Sequence, residues 1–271
     1  MKRKWIAGTL ALMLTATTVF AAVPSTVSAA GDGESDHGIG SGTTYYVSSE
    51  NGDDSNSGTS EGQAFETLDK INEITLKPGD RVLLEKGSVF NNQYLHIKGS
   101  GTEDQYIEVS TYGEDSERPV INTNGYGQWE QNYGTPLDNT NHKWHGTVSS
   151  SILLEDVEYI EIRGLEITND RVQGAPEGDK AYNAADAMDR TGVAGVAQNK
   201  GTIEHIVLDD LYIHDVDGNV YNKHMANGGI YFIVEKPENE GQTGIARYDD
   251  VQIRNCYLDT VNRWGIAVGY T

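Results

Sequence analysis

Three stretches of the sequence share one pattern and decide the fold: VEYIEIRGLEITND at 157–170, IEHIVLDDLYIHDV at 203–216 and DDVQIRNCYLDTV at 249–261. Their equivalent positions are 46 and 45 residues apart. Apolar residues alternate with polar ones, and the alternation slips by one residue at Gly164, Asp210 and Asn255. Because these residue types tolerate sharp bends, each stretch predicts two short strands joined by a bend.

A third strand follows two of the stretches, GGIYFIV at 228–234 and WGIAVGY at 264–270. Strand, bend, strand, turn and strand make one coil of a solenoid, and stacked coils place equivalent residues about 4.8 Å apart. The repeat therefore predicts an all-β fold, a parallel β-helix, with clear coils over 150–271. Two loops, 171–200 and 217–228, are read as insertions between the second and third strands.

The N-terminal segment has the order of a secretory signal peptide: a basic start, an apolar stretch and small residues at the end. We assign residues 1–29 to the signal and 30–43 to a flexible linker, and we expect a secreted protein without membrane insertion. The apolar stretch is shorter than the roughly 20 residues that a membrane span requires.

The folded domain is predicted to cover 44–271, and its first part, 44–90, to be an N-terminal cap. A helix is predicted over 61–74 because Phe65, Leu68 and Ile71 fall on one helical face. A solenoid needs such an element to cover its open core. No equivalent cap follows the last strand, so we expect this chain to be truncated at the C-terminus, as the front portion of a longer protein.

The segment YYVSSENGDDSNSGTSEGQAFETLDKINEITLKPGDRVLLEKGSVF at 45–90 resembles the N-terminal cap of secreted bacterial right-handed parallel β-helix proteins. These belong to the pectate-lyase-like superfamily, which includes polysaccharide lyases and glycoside hydrolases. This chain has Ala64 before Phe65, where proline is usual. The resemblance implies a right-handed β-helix and a carbohydrate-active protein, with the glycan in a cleft on the side of the inserted loops.

The formal net charge of −21 limits the partners. Binding of nucleic acid requires Lys and Arg to neutralise phosphates, so a nucleic-acid partner is not expected. The charge favours a neutral polysaccharide, or an acidic one bridged by a cation. We expect a monomer.

The loop at 217–228 and the strand before it carry the candidate catalytic residues. Glycoside hydrolysis usually needs two carboxyl groups; Asp215 and Asp217 are the best acids, with Asp259 or a residue further along the chain as a possible partner. His214 and His224 are candidates for tuning these acids or for binding a hydroxyl group. In the repeat, Asp215 is expected in one column with Asn169 and Thr260, and His214 in the neighbouring column with Thr168 and Asp259.

A lyase remains open as an alternative. β-Elimination needs a base, for which Lys223 or Arg263 is available, and a cation to neutralise the uronate. Calcium is the cofactor considered, with Asp217 and Asn219 as loose ligands. An EF-hand is excluded, since it requires Gly at its sixth position and Glu at its twelfth, where this loop has Val and Ala.

Candidate substrate-binding residues flank the same loop: Trp264 and Tyr231 as sugar platforms, with Arg263 and Asn227 as polar contacts. The sequence thus predicts a secreted glycoside hydrolase acting on an extracellular or plant cell-wall polysaccharide. The alternatives are a calcium-dependent, pectate-type lyase and a non-catalytic surface or adhesion protein built on a β-helix.

Overall fold

The computed structural model describes residues 42–132, 145–171, 188–220 and 226–270. The predicted signal peptide and nearly all of the linker lie outside these ranges, as do Lys223 and His224. The described residues form three sheets with two short α-helical turns. None of the described helices has the length and apolar character needed to cross a membrane.

The strands, numbered in chain order, divide among the three sheets. The first sheet contains β1 (Thr44–Val47), β2 (Arg81–Glu85), β5 (Ile107–Tyr112), β9 (Ile160–Arg163), β12 (Thr202–Asp209) and β15 (Arg247–Arg254). The second contains β3 (Val89–Asn91), β6 (Val120–Asn122), β10 (Glu166–Asn169), β13 (Tyr212–Val216) and β16 (Tyr257–Val261). The third contains β4 (Leu95–Ile97), β8 (His145–Glu155), β11 (Asp189–Ala197), β14 (Gly228–Val234) and β17 (Ile266–Tyr270).

The chain visits the three sheets in rotation, which makes five successive coils within the described residues, from β2–β3–β4 to β15–β16–β17. Neighbouring strands pair in parallel in all three sheets, and β7 (Gln128–Asn132) pairs antiparallel with β8. One apolar cluster fills the interior, with contributions from every sheet. This arrangement is all-β and consistent with a β-helix-like solenoid.

The register of the sequence repeat is confirmed. In the first sheet Ile206 pairs with Ile160 and with Val251, and in the second sheet Ile213 pairs with Ile167 and with Leu258. The predicted bends also occur, with φ of 75° at Gly164, 53° at Asp210 and 53° at Asn255. Gly tolerates this left-handed conformation because it has no Cβ atom, and Asp and Asn tolerate it because their short polar side chains bond to nearby backbone, which explains why these residue types recur at the bend.

One predicted column is correct and its neighbour is wrong. Thr168, His214 and Asp259 pair as expected, but the register then shifts, and Asn169 pairs with Val216 instead of Asp215. Asp215 is the extra residue of a bulge, with φ of 48°, and Thr260 has the same conformation in the next coil. A bulge turns one residue out of the ladder. Asp215 is therefore not aligned with Asn169.

The segment 171–200 is not one inserted loop. Its last part contains β11, which lies in the third sheet between β8 and β14. All nine residues of β11 are buried. A strand buried on both faces shows no alternation of apolar and polar residues, so its sequence did not indicate a strand.

The outer face of the third sheet carries a second apolar cluster, separate from the interior. Leu153, Val196, Tyr231 and Ile233 are among its buried members, and Trp129 of β7 packs against it. The strands β11 and β14 of this third sheet are therefore buried on both faces.

The predicted N-terminal helix is broken into two pieces: a 3-10 turn at Glu61–Gln63 and a single helical turn, α1, at Asp69–Asn72. Phe65 interrupts it, because its backbone bonds to Tyr46 and forms a bridge with Val47 of the first sheet. The three predicted apolar residues are buried all the same. The second short helix, α2, spans Glu240–Thr243.

Glu235 follows β14 and is only 6% exposed, with its carboxylate bonded by the amide of Gln131. Burial raises its pKa from 4.5 to about 7; the Gln131 bond opposes this, and Glu155 and Asp156 add to it. The protonated form is thus favoured by folding, so its contribution to stability is complete below pH 4.5 and is lost as the pH rises through about 7.

Between pH 4.5 and 8, the free energy of unfolding of the wild type should fall by about 1–2 kcal/mol more than that of Glu235→Gln. This figure allows for screening by solvent. Urea unfolding at a series of pH values measures this difference. Glu238→Gln, which changes an exposed carboxylate three residues further on, serves as the control and should follow the wild-type profile. Parallel profiles for wild type and Glu235→Gln would contradict the assignment.

Candidate functional site

The chain passes from the second sheet to the third at one edge of the solenoid, which we call the corner site. It is formed by the ends of β10 and β13, the starts of β11, β14 and β17, and the links between them: Asp170, Arg171, Asp189, Arg190, Asp217, Gly218, Asn219, Asn227, Arg263 and Trp264. Two of the links are long, as the sequence predicted. Parts of both, 172–187 and 221–225, lie outside the described residues.

Two carboxyl groups meet at the corner site. Asp170 and Asp217 follow the ends of β10 and β13, and their side chains share a hydrogen bond. Burial raises the pKa of Asp217, and the bond and charge of Asp170 raise it further. Asp217 therefore holds a proton more strongly than an exposed carboxyl group does.

Two arginines lie beside this acidic pair. Arg190 of β11 is fully buried and donates from Nη1 to the backbone oxygen of Asp217 at 2.9 Å. Arg171 donates from Nη2 to the same oxygen at 3.4 Å. Their positive charges act to lower the pKa of Asp217 and partly offset its burial. The corner site is therefore a half-buried cluster of mixed charge.

Asn227 is fully buried between the starts of β11 and β14. Its Oδ1 accepts hydrogen bonds from the backbone N–H of Arg190 at 2.9 Å and of Asn219 at 2.8 Å, and its Nδ2 donates to Asp189 Oδ1 at 2.8 Å. Three of the hydrogen bonds that its amide group can make are thus formed within the protein. The structure does not support Asn227 as a substrate contact, because its side chain has no exposed surface.

Trp264 begins the third strand of the last coil and remains 42% exposed. The guanidinium carbon of Arg263 lies 5.5 Å from the centre of its ring, and Arg263 Nη1 donates to the backbone oxygen of Val220 at 3.3 Å. Burial lowers the pKa of Arg263, while the charge of Asp189 favours its protonated form. Trp264 and Arg263 thus form an aromatic and cationic flank of the corner site, where the sequence placed substrate-binding residues.

Tyr231 is in a different environment from Trp264. It is 5% exposed and belongs to the apolar cluster on the outer face of the third sheet. A ring buried in this way does not offer a face to a sugar, so the structure does not support Tyr231 as a platform.

His214 and Asp215 lie outside the corner site, on the outer face of the second sheet. His214 bonds to Asp215 at 2.7 Å through Nδ1 and to Glu166 at 3.1 Å through Nε2, and its ring stacks on Tyr212. Burial acts to lower the pKa of His214, but the two carboxylates outweigh it and the pKa is raised. Asp215 is thus engaged with His214 on the outer face of the second sheet, whereas Asp217 interacts with Asp170 at the corner site.

The calcium reading has little geometric support. The side chain of Asn219 is 1% exposed, and Asp217 is paired with Asp170. Within the part of the chain that the structure describes, no three His, Cys, Asp or Glu side chains are grouped to hold a metal ion.

The sequence reading missed Asp170, Asp189 and Arg190. Since Asn169 pairs with Val216 and Val216 with Val261, the next residues, Asp170, Asp217 and Asn262, fall in one column. An alignment of the repeat that skips Asp215 in the second copy and Thr260 in the third would have placed Asp170 beside Asp217. Asp189 and Arg190 were hidden because their strand was read as part of a loop.

Comparison with known proteins finds lacto-N-biosidases among the relatives of this chain. No protein-family model matches the chain. It is 50% identical over 258 residues to a lacto-N-biosidase of Bifidobacterium longum subsp. longum, a match that covers 85% of this chain and 16% of that protein. The chain thus spans about a sixth of the length of this curated relative.

The crystal structures of the GH136 lacto-N-biosidase from Eubacterium ramulus, native and selenomethionine forms, match with TM-scores of 0.77 and 0.75. Each is 50% identical, and the matches cover 84% and 83% of this chain and 36% and 35% of those chains. These relatives are glycoside hydrolases. They support the hydrolase reading and do not support a plant cell-wall substrate.

Proposed function

We propose that this chain forms part of a glycoside hydrolase that releases the disaccharide lacto-N-biose from the end of a glycan. The observation that carries the proposal is the 50% identity to lacto-N-biosidases across 84–85% of the chain. At this identity the matched parts share a fold and much of their side-chain chemistry. No observation of comparable weight favours the lyase or the non-catalytic scaffold.

Within such an enzyme, we assign the corner site to substrate binding. Exposed aromatic rings accept the apolar faces of sugars, and Trp264 provides one at this edge. Asp170, Asp217 and Arg171 provide half-buried acceptors and donors suited to sugar hydroxyl groups. Specific sugar recognition of this kind combines an apolar surface with a few polar groups.

We assign Asp170 and Asp217 to the recognition of sugar hydroxyl groups. A carboxyl group whose pKa is raised by burial and by a neighbouring carboxyl group can donate as well as accept a hydrogen bond, which suits a hydroxyl partner.

The proposal predicts that the protein encoded by the full reading frame releases p-nitrophenol from p-nitrophenyl lacto-N-bioside. Replacing Trp264 with alanine should raise KM roughly 10-fold or more and change kcat less, because a sugar platform contributes to binding throughout the reaction. Measurement of both constants from initial rates tests this.

The matched control is Tyr257→Ala, which removes another exposed aromatic ring, 63% exposed, on the outer face of the second sheet. Its KM should equal that of the wild type. If the wild-type protein released no disaccharide, the proposed function would be wrong. If KM rose equally in both variants, the assignment of substrate binding to the corner site would be wrong.

A further inference from the structure

The two flanks of the corner site are connected through one side chain. The acidic flank consists of Asp170 and Asp217, and the aromatic flank consists of Arg263 and Trp264. They come from different coils, so their relative placement depends on what lies between them. Asn227 lies there, with no exposed surface.

On the acidic side, Asn227 holds the backbone that carries Asp217. Its Oδ1 accepts from the N–H groups of Asn219 and Arg190 at once, which ties the segment after β13 to the start of β11. Arg190 in turn donates to the backbone oxygen of Asp217. A Cβ atom at Gly218 would lie 2.1 Å from Asn227 Oδ1 and 2.9 Å from Arg190 N, so the backbone at Gly218 packs too closely against both residues to admit a side chain.

On the aromatic side, Asn227 acts through Asp189 and through its own chain neighbours. Asn227 Nδ2 donates to Asp189 Oδ1, and the charge of Asp189 favours the protonated form of Arg263. Gly229, two residues after Asn227, donates from its backbone N–H to the backbone oxygen of Trp264 at 3.0 Å. The start of β14 thus supports the residue that carries the exposed ring.

From these contacts we infer that Asn227 is a positioning residue, which sets the distance between the acidic and aromatic flanks without touching the substrate. The inference rests on the proposed function, because it names what positions the sugar-binding groups of that site. An amide is suited to this place, since it presents an acceptor to two N–H groups and a donor to a carboxylate at the same time. Neither Asp nor Leu offers this combination.

The first test is the kinetics of Asn227→Asp on p-nitrophenyl lacto-N-bioside. The carboxylate keeps both acceptor bonds, loses the donor and faces Asp189. We expect KM to rise roughly 30-fold with kcat changed less than about 3-fold, because binding groups are displaced and the reacting groups are not. A residue that only stabilises the fold would reduce the folded, active fraction and leave KM unchanged.

The control is Asn124→Ala, which removes a buried amide that bonds to Asn92 Oδ1 at 3.0 Å, outside the corner site. It should leave KM at the wild-type value. An unchanged KM in Asn227→Asp, or an equal increase in the control, would overturn the inference.

A second measurement does not depend on activity. The carboxyl carbon of Asp217 is followed by 13C NMR during a pH titration, and the signal is assigned with Asp217→Asn. Asn227→Ala should move the midpoint by about half a pH unit or more, because the backbone that holds Asp217 against Asp170 is released. If the wild type hydrolyses no lacto-N-bioside, the proposed function fails, and this midpoint alone decides the role of Asn227. An unchanged midpoint would overturn it.

Discussion

Replacing Asn169 with alanine is expected to lower the free energy of unfolding by about 3–5 kcal/mol, which is a large part of the stability of a domain of this size. Asn169 is fully buried at the end of β10. Its Oδ1 accepts from the N–H of Gly125 at 2.9 Å, and its Nδ2 donates to the backbone oxygens of Ser149 at 3.0 Å and Thr191 at 3.1 Å. Alanine leaves these three backbone groups without their partner, in an interior that water does not reach.

Asn169→Asp tests the hydrogen bonds separately from packing, because the aspartate side chain has nearly the same size and shape as that of asparagine. Near neutral pH the carboxylate would face the two backbone oxygens that the amide now donates to, so it should destabilise at least as much as alanine. Protonation at low pH restores one donor, so the loss should be smaller at pH 4 than at pH 7. Urea unfolding measured at both pH values tests both statements.

Asn122→Ala is the control for Asn169. Asn122 also donates a hydrogen bond to an equivalent residue of the neighbouring coil, from Nδ2 to Asn91 Oδ1 at 2.8 Å. This bond lies on the outer face of the second sheet, where water can replace the lost partner. Its cost should stay below about 1 kcal/mol. Similar losses for the two asparagines would show that burial does not decide the effect.

The repeat could be predicted because its signal is local. Apolar residues that face the interior alternate with polar ones that face water, and the Gly, Asp or Asn at each bend marks where the alternation slips. The bulge at Asp215 could not be predicted in the same way. An extra residue near a strand end shifts the register only for the last positions, and the sequence there is polar in either register.

Strand β11 was missed for a different physical reason. With both faces of β11 buried, its sequence DRTGVAGVA contains no alternation and many small residues, which is also the composition of a loop. What covers the outer face comes from elsewhere in the chain, including Trp129 of β7. Such long-range burial has no local sequence pattern.

The candidate site was predicted in part. Asp217, Arg263 and Trp264 do lie at one edge, because the links between the second and third strands of stacked coils leave from the same side of a solenoid. The pairing of Asp217 with Asp170, and the burial of Asn227 and Arg190 beneath it, required the register and the position of β11. Single residues were therefore found, whereas their partners from other coils were not.

The second large effect is expected from Gly218→Ala. An added Cβ atom would lie 2.1 Å from Asn227 Oδ1 and 2.9 Å from the backbone nitrogen of Arg190, and the second of these is main chain that cannot move alone. The segment that carries Asp217 must therefore shift away from β11. We expect at least a roughly 100-fold loss of kcat/KM on p-nitrophenyl lacto-N-bioside, with about 1–3 kcal/mol of lost stability from the overpacking.

Gly265→Ala provides a control at the same corner, because a Cβ atom at Gly265 would meet none of the residues that the structure describes within 4 Å. It follows Trp264 directly, so it tests whether any added methyl group near the site has the same effect. Its stability should stay within about 0.5 kcal/mol of the wild type, and its kcat/KM within a small factor. The decisive quantity is the ratio of the two activity losses, measured at a temperature where both variants are folded. A ratio near one would mean that close packing of Gly218 against Asn227 has no part in binding the substrate, whereas a ratio of roughly 100 ties the geometry of that contact to function.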